Sequence, residues 1–140
     1  MCFRGDFTIR YKRGYFYFYQ LVSSPCGYKN SSTAFLFSLV NNPGCGPKTF
    51  GPPGTGRGAR NSYKYAIYSC PGYGPTFGGG HDIHIASEAS SNTNSHSYLG
   101  YTYNPPAGFN YGSPFATSFL AGSYNFQPVE VEVFYETNYK

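Results

Sequence analysis

The segment Gly74-Pro75-Thr76-Phe77-Gly78-Gly79-Gly80-His81-Asp82 sets three consecutive glycines directly before an imidazole and a carboxylate. Glycine reaches positive φ and permits close backbone approach, so Gly78, Gly79 and Gly80 could form an anion nest or a partner-docking loop. The same residues also suit a tight entry into a strand, with Asp82 bonding local backbone amides, and turn chemistry favours that role. His81, Asp82 and His84 are metal-ligand types. On a strand Asp82 and His84 share a face while His81 points the other way, so a site needs a further ligand from His96 or a cysteine. The four-ligand spacings of zinc sites are absent, and no metal or other cofactor is expected.

Nucleophilic chemistry could draw on one of the many serines, or on Cys70 with His81 or His96, in its fullest form Cys70 with His81 and Asp82. That constellation defines the alternative reading, a thiol-based antioxidant or hydrolase-like enzyme. A reactive thiolate needs a lowered pKa, and no cation adjoins Cys70 in the sequence. Neither a nucleophile elbow nor a local cysteine-protease signature occurs, so no catalytic residue is assigned. The run Gly51-Pro52-Pro53-Gly54-Thr55-Gly56-Arg57-Gly58 has the glycines of a phosphate loop. It lacks the lysine followed by Ser or Thr, and fits a flexible surface loop. Glu130 and Glu132 fall on one face of a closing strand. Such carboxylates more often form the wet face of an edge strand, or charges that meet a partner, than a catalytic pair.

The elements that must position these residues are short strands. Aromatic and β-branched residues over 7–11 and 15–21 flank Lys12-Arg13-Gly14 and read as a β-hairpin. The run 33–40 fits a buried central strand bounded by turn residues. The stretch 41–60 reads as a long loop with a short strand at 48–50, followed by a strand at 63–68 and a second Gly/Pro loop over 71–80. Residues 82–86 alternate, placing Ile83 and Ile85 inward. The polar stretch 87–97 has no periodicity, 99–103 reads as a strand, and 115–123 fits either a helical turn or a strand. Val129, Val131 and Val133 alternate with Glu130 and Glu132 as a half-buried strand. Short strands separated by Gly/Pro loops predict a mainly β, two-layer antiparallel β-sandwich with a few short peripheral helices.

Composition supports one domain over 1–140. The hydrophobic fraction is 40%, and 13 Phe and 16 Tyr make up more than half of it. Such rings suit a sheet-on-sheet interior. Only 11% of residues are charged and the net charge is +4. That is too mild for a phosphate-tracking stripe, which argues against nucleic acid. No apolar run is long enough to cross a bilayer, so no membrane insertion is expected. No signal peptide opens the chain, so the four cysteines are expected as free thiols in a reducing, cytoplasmic setting.

Several segments together resemble the TLDc domain of the oxidation-resistance family. They are Ala34-Phe35-Leu36-Phe37-Ser38-Leu39-Val40-Asn41, the run Gly74 through Ile83, and Ser97-Tyr98-Leu99-Gly100-Tyr101-Thr102-Tyr103. Pro105-Pro106-Ala107-Gly108, Leu120-Ala121-Gly122-Ser123-Tyr124 and Val129-Glu130-Val131-Glu132-Val133-Phe134 complete the set. Their order and spacing over 33–136 carry the likeness. The resemblance implies a two-sheet sandwich that is non-enzymatic, protects against oxidative stress, and binds peripheral subunits of the vacuolar proton-pumping ATPase. It also implies a cytoplasmic protein recruited to vacuolar or endolysosomal membranes through its partner. Contacts are expected at Gly78, Gly79, Gly80, His81 and Asp82 and at Glu130 and Glu132. The family's usual N-terminal helical segment has no counterpart here. A shortened member is therefore expected, with exposed aromatic surface prone to self-association or, as a further alternative, without the retained role.

Overall fold

Among the described residues the strands are brief, because glycine, proline and small polar residues interrupt the apolar runs. The computed structural model describes residues 8–9, 25–41, 44–51, 53–58, 63–105 and 107–133. In chain order the strands are β1 (Thr8–Ile9), β2 (Gly27–Lys29), β3 (Leu36–Ser38), β4 (Lys48–Phe50), β5 (Ile67–Ser69) and β6 (Tyr73–Phe77). They continue with β7 (Ile83–Ala86), β8 (Ser95–Ser97), β9 (Asn125–Phe126) and β10 (Glu132–Val133). Among the described residues one α-helix, α1 (Pro114–Ser118), precedes β9. Its start follows from local chemistry: the Ser113 hydroxyl accepts from the Ala116 amide at 3.2 Å, and a proline occupies the first turn. The fold is mainly β, as the sequence predicts.

A six-stranded antiparallel sheet runs in the order β2-β5-β6-β7-β8-β9. β3 and β4 form a separate antiparallel pair, and β1 lies parallel to β10. One hydrophobic cluster joins Phe50 of β4 to Ile83 and Ile85 of β7, Phe126 of β9, and Leu99 and Phe119 from the loops. Phe119 meets Phe50 and Phe109 edge-on, with ring centroids 5.9 and 4.7 Å apart, the geometry aromatic quadrupoles prefer.

Several sequence expectations change. Among the described residues the run 33–40 is not a central strand: only Leu36–Ser38 pairs, with β4, and Leu39 and Val40 are exposed. The Ser38 hydroxyl donates to the Val40 carbonyl at 3.0 Å and turns the chain away. The Gly/Pro run 71–80 contains β6, which pairs on both sides. Its register shift sets Gly74 and Pro75 opposite Ile85, a bulge that tolerates a residue without an N–H. The segment 63–68 begins as a 3-10 turn at Tyr63–Tyr65, and the strand follows at β5. The stretch 99–103 is a loop, not a strand. In the closing segment Val129 is exposed, Val131 packs on the core, and pairing is confined to β10. The hairpin expected over 7–21 lies outside the described residues apart from β1.

Candidate functional site

β6 and β7 pair as far as Phe77 and Ile83, leaving residues 78–82 to reverse the chain. Gly78 and Gly80 have φ of 84° and 83°, and His81 follows at 45°. Glycine is required at 78 for a second reason, since a Cβ there would collide with the Asp82 carboxylate. Asp82 is fully buried. Its Oδ1 accepts from the backbone amides of Gly100 at 2.8 Å, Tyr101 at 3.0 Å and Tyr103 at 3.3 Å. Its Oδ2 accepts from the amide of Thr102 at 2.9 Å. The Thr102 hydroxyl also bonds the carboxylate and itself accepts from the Gly79 amide at 2.8 Å. Asp82 thus does bond backbone amides, but those of a loop 18 to 21 residues away and not local ones.

Burial is the largest influence on this carboxyl and pushes it up to about 7, against the Thr102, Gly100 and Tyr103 amides that pull it down. Every hydrogen-bonding direction is taken by structure, which makes Asp82 a latch and not a base or nucleophile. The outer side of the same loop is also occupied. The amides of Gly54 and Gly56 donate to the Thr102 carbonyl, that of Arg57 to Gly100, and that of Gly58 to Tyr101, at 2.9 to 3.1 Å. The phosphate-loop-like run is therefore not a free, flexible loop. Its amides are spent on the protein, and a Cβ at Gly56 would strike the Tyr101 carbonyl.

The expectation of free thiols fails for two cysteines. Gly27 of β2 lies opposite Ser69 of β5, which brings Cys26 and Cys70 face to face one residue further, and they form a disulfide. Cys70 has no thiolate to offer in this form, so the constellation of Cys70, His81 and Asp82 lacks its nucleophile and its acid is sealed. Among the described residues Cys45 is the free cysteine, and it is exposed.

Of the run 78–82, Gly78, Gly79 and Asp82 are buried, whereas Gly80 is exposed and His81 half-buried. Glu130 is exposed after β9, and Glu132 lies in β10, in a different sheet from the glycine turn. The two groups of expected contacts thus stand on separate elements.

A feature the sequence pattern did not single out lies beside His81. Opposed residues in paired strands share a face. Across the six-stranded sheet the register joins Tyr28, Tyr68, Thr76, His84, His96 and Asn125 in one row. Rings pack along it: Tyr28 on Tyr68, Tyr73 on His84 and His84 on His96, each 5.0 Å between centroids. β8 was hidden in the polar stretch 87–97. Its serines are buried because the backbone satisfies them: Ser95 accepts from the Ala86 amide at 3.0 Å, and Ser97 donates to the Thr117 carbonyl at 3.1 Å. The alternation of Ser95, His96 and Ser97 was the available signal.

The profile of the TLDc domain matches residues 10–136. The chain belongs to the TLDc domain family. Within this TLDc domain the conspicuous Gly-Gly-Gly-His-Asp run, the loop 100–103 and the loop 54–58 are three layers of one interlocked structure. No curated protein and no solved structure shows significant similarity to the chain. Among the described residues no three His, Cys, Asp or Glu side chains are placed to hold a metal ion, and no helix is long and apolar enough to cross a membrane.

Proposed function

We propose that this TLDc domain is a non-enzymatic interaction module that serves oxidative-stress protection by docking on the peripheral sector of the vacuolar proton-pumping ATPase. The observation that carries the reading is the rigid rim at 78–82. Asp82 is locked beneath it by four backbone amides, while Gly80 and His81 reach the surface. A surface fixed in this way loses little conformational entropy on binding, which favours recognition. Gly78, Gly79 and Asp82 hold the rim in place, Gly80 and His81 make the contact, and Glu130 and Glu132 form a second, acidic contact region. Docking would shift the pump between its assembled and disassembled states. The domain is cytoplasmic in this reading and reaches vacuolar or endolysosomal membranes through its partner. Exposed Tyr28, Tyr73 and Tyr124 supply surface for self-association.

The test is affinity capture of pump subunits from the native cell, comparing the chain with a His81→Asn, Glu130→Lys, Glu132→Lys variant. Asparagine tolerates the left-handed backbone at 81, and the Asp82 latch stays intact. Peripheral-sector subunits should be enriched on the native chain and lost from the variant. Equal recovery on both, or none on the native chain, would sink the reading.

A further inference from the structure

Three imidazoles converge on the face of the six-stranded sheet opposite Ile83 and Ile85, His81 and His96 half-buried and His84 buried between them. His81 and His96 lie 5.8 Å apart between centroids, His81 and His84 5.6 Å, and His84 and His96 5.0 Å. They come from the turn before β7, from β7 and from β8, so the triangle is built by strand register and not by one flexible segment. Tyr68 packs on His81 at 5.4 Å, Tyr73 on His84 at 5.0 Å, and Tyr124 stacks on His96 at 5.3 Å. Among the described residues the titratable groups packed on the triangle are thus Tyr68 from β5, Tyr73 from β6, and Tyr124 beside β9. Thr76 of β6 and the Asn94 carbonyl add neutral hydrogen bonds. Among the described residues, the charges acting on His81 and His84 are those of the other imidazoles, with no carboxylate.

Hydrogen bonding fixes the tautomer at the centre. The Thr76 hydroxyl donates to the Gly74 carbonyl at 3.0 Å, an atom that only accepts. Its single proton being spent there, the hydroxyl oxygen accepts from His84 Nδ1–H at 2.7 Å. Nε2 is then the atom of His84 that takes up a proton. Burial first, then the neighbouring imidazoles, hold His84 down to about 4 and lower His81 as well. Rings this close resist holding several protons at once unless an anion shares the space.

We propose that His81, His84 and His96 form a proton-gated binding site for a carboxylate side chain of a partner protein. The proposal rests on the interaction-module reading only in that the ligand belongs to a protein. A carboxylate accepts from the N–H groups that protonation creates, and it offsets the mutual repulsion of the rings. The surround favours a peptide segment: Tyr73 and Tyr124, each 43% exposed, flank the imidazoles, and tyrosine contributes contact area at low entropic cost. A chain of net charge +4 adds favourable steering for an acidic segment. By linkage, a ligand that raises imidazole pKa values binds more tightly as pH falls.

The experiment titrates the full chain with a labelled hexaglutamate peptide at pH 7.5, 6.5 and 5.5, following affinity by anisotropy and each imidazole by its ring C–H resonances. Each proton taken up steepens affinity by up to about tenfold per pH unit, so tightening of roughly threefold or more per unit is expected. The ring resonances of His81 and His84 should titrate at higher pH with peptide bound than without it. His96→Gln and His81→Asn should each flatten the pH dependence while leaving the unfolding transition in place. Equal affinity at all three pH values, unmoved resonances, or an unchanged slope in His96→Gln would each overturn the proposal. So would stoichiometric zinc uptake by the three rings at pH 7.5. A flat peptide titration with pump capture intact would refute this site alone, and lost pump capture with a steep titration would refute only the pump.

Discussion

Replacing Asp82 with alanine takes the acceptor from four backbone N–H groups at once, those of residues 100 to 103. Gly100, Thr102 and Tyr103 are buried and Tyr101 is half-buried, so at least three donors have poor access to water. An unsatisfied buried donor costs about 1–3 kcal/mol; with partial rescue by water the sum is about 4 kcal/mol, close to the whole stability of a marginal domain. Thermal denaturation followed by circular dichroism should show a Tm lower by roughly 12 °C for a domain of this size. Asp82→Asn keeps the oxygen that serves Gly100, Tyr101 and Tyr103 but points an N–H at the Thr102 amide, costing about 2 kcal/mol. The pH dependence adds a sharper test. The folded carboxyl titrates at about 7 against 3.8 unperturbed, so the folded chain holds an extra proton between those values. The stability this contributes is fully present below the lower value and is lost as pH rises through about 7, a change of about 4 kcal/mol. Subtracting the Asp82→Asn stability curve from the native one isolates it, and the difference should fall between pH 4 and 8. An Asp82→Ala loss under about 1 kcal/mol, or a difference curve that is flat or rising, would refute the latch role of this carboxyl.

Three further outcomes are expected. Gly78→Ala should destabilise by about 2–3 kcal/mol, because its Cβ meets the Asp82 carboxylate at an already positive φ, whereas Gly80→Ala meets open space and costs about 1 kcal/mol, both read as shifts in the urea midpoint. Peptide mapping without reductant should recover Cys26 and Cys70 linked across their separation of 44 residues, and Cys26→Ser with Cys70→Ser should lower stability by about 4 kcal/mol in chemical denaturation. His84, held down to about 4 in the folded chain, contributes stability present above the unfolded value of 6.5 and lost as pH falls through about 4. His84→Gln should abolish that acid-side loss in urea midpoints measured at pH 7 and 4.5.

The sequence was most legible where side-chain alternation and burial agree. Ile83 and Ile85 point inward on β7 as their spacing predicts, and Lys48–Phe50 forms the expected short strand in the long loop. It misled where hydrogen bonding replaced hydrophobicity. β8 reads as polar because Ser95 and Ser97 are buried through bonds to backbone atoms. Leu99 to Tyr103 reads as a strand from its residue types, and Leu99 and Tyr103 are indeed buried, yet the amides between them serve a carboxylate instead of a neighbouring strand. The glycine run was recognisable as a tight turn and Asp82 as its backbone-bonding residue. Which amides it meets depends on a contact far along the chain that no local pattern encodes. The sequence offered His96 as a companion of His81 and His84 but set His81 on the opposite side; strand pairing brings His96 beside His84, and the left-handed turn at His81 brings its ring to the same side.

The threading of 54–58, 78–82 and 100–103 around one carboxylate bears on how the chain assembles. Each pairing closes a long loop before any contact rewards it, and the charged group must shed its water when the third segment arrives. This knot of backbone should set late in folding and come apart only with the domain as a whole. The amide protons of residues 100 to 103 would then exchange with deuterium at the slow rate of global opening, although they sit in a segment without regular secondary structure. A loop of this kind is as durable as a core strand.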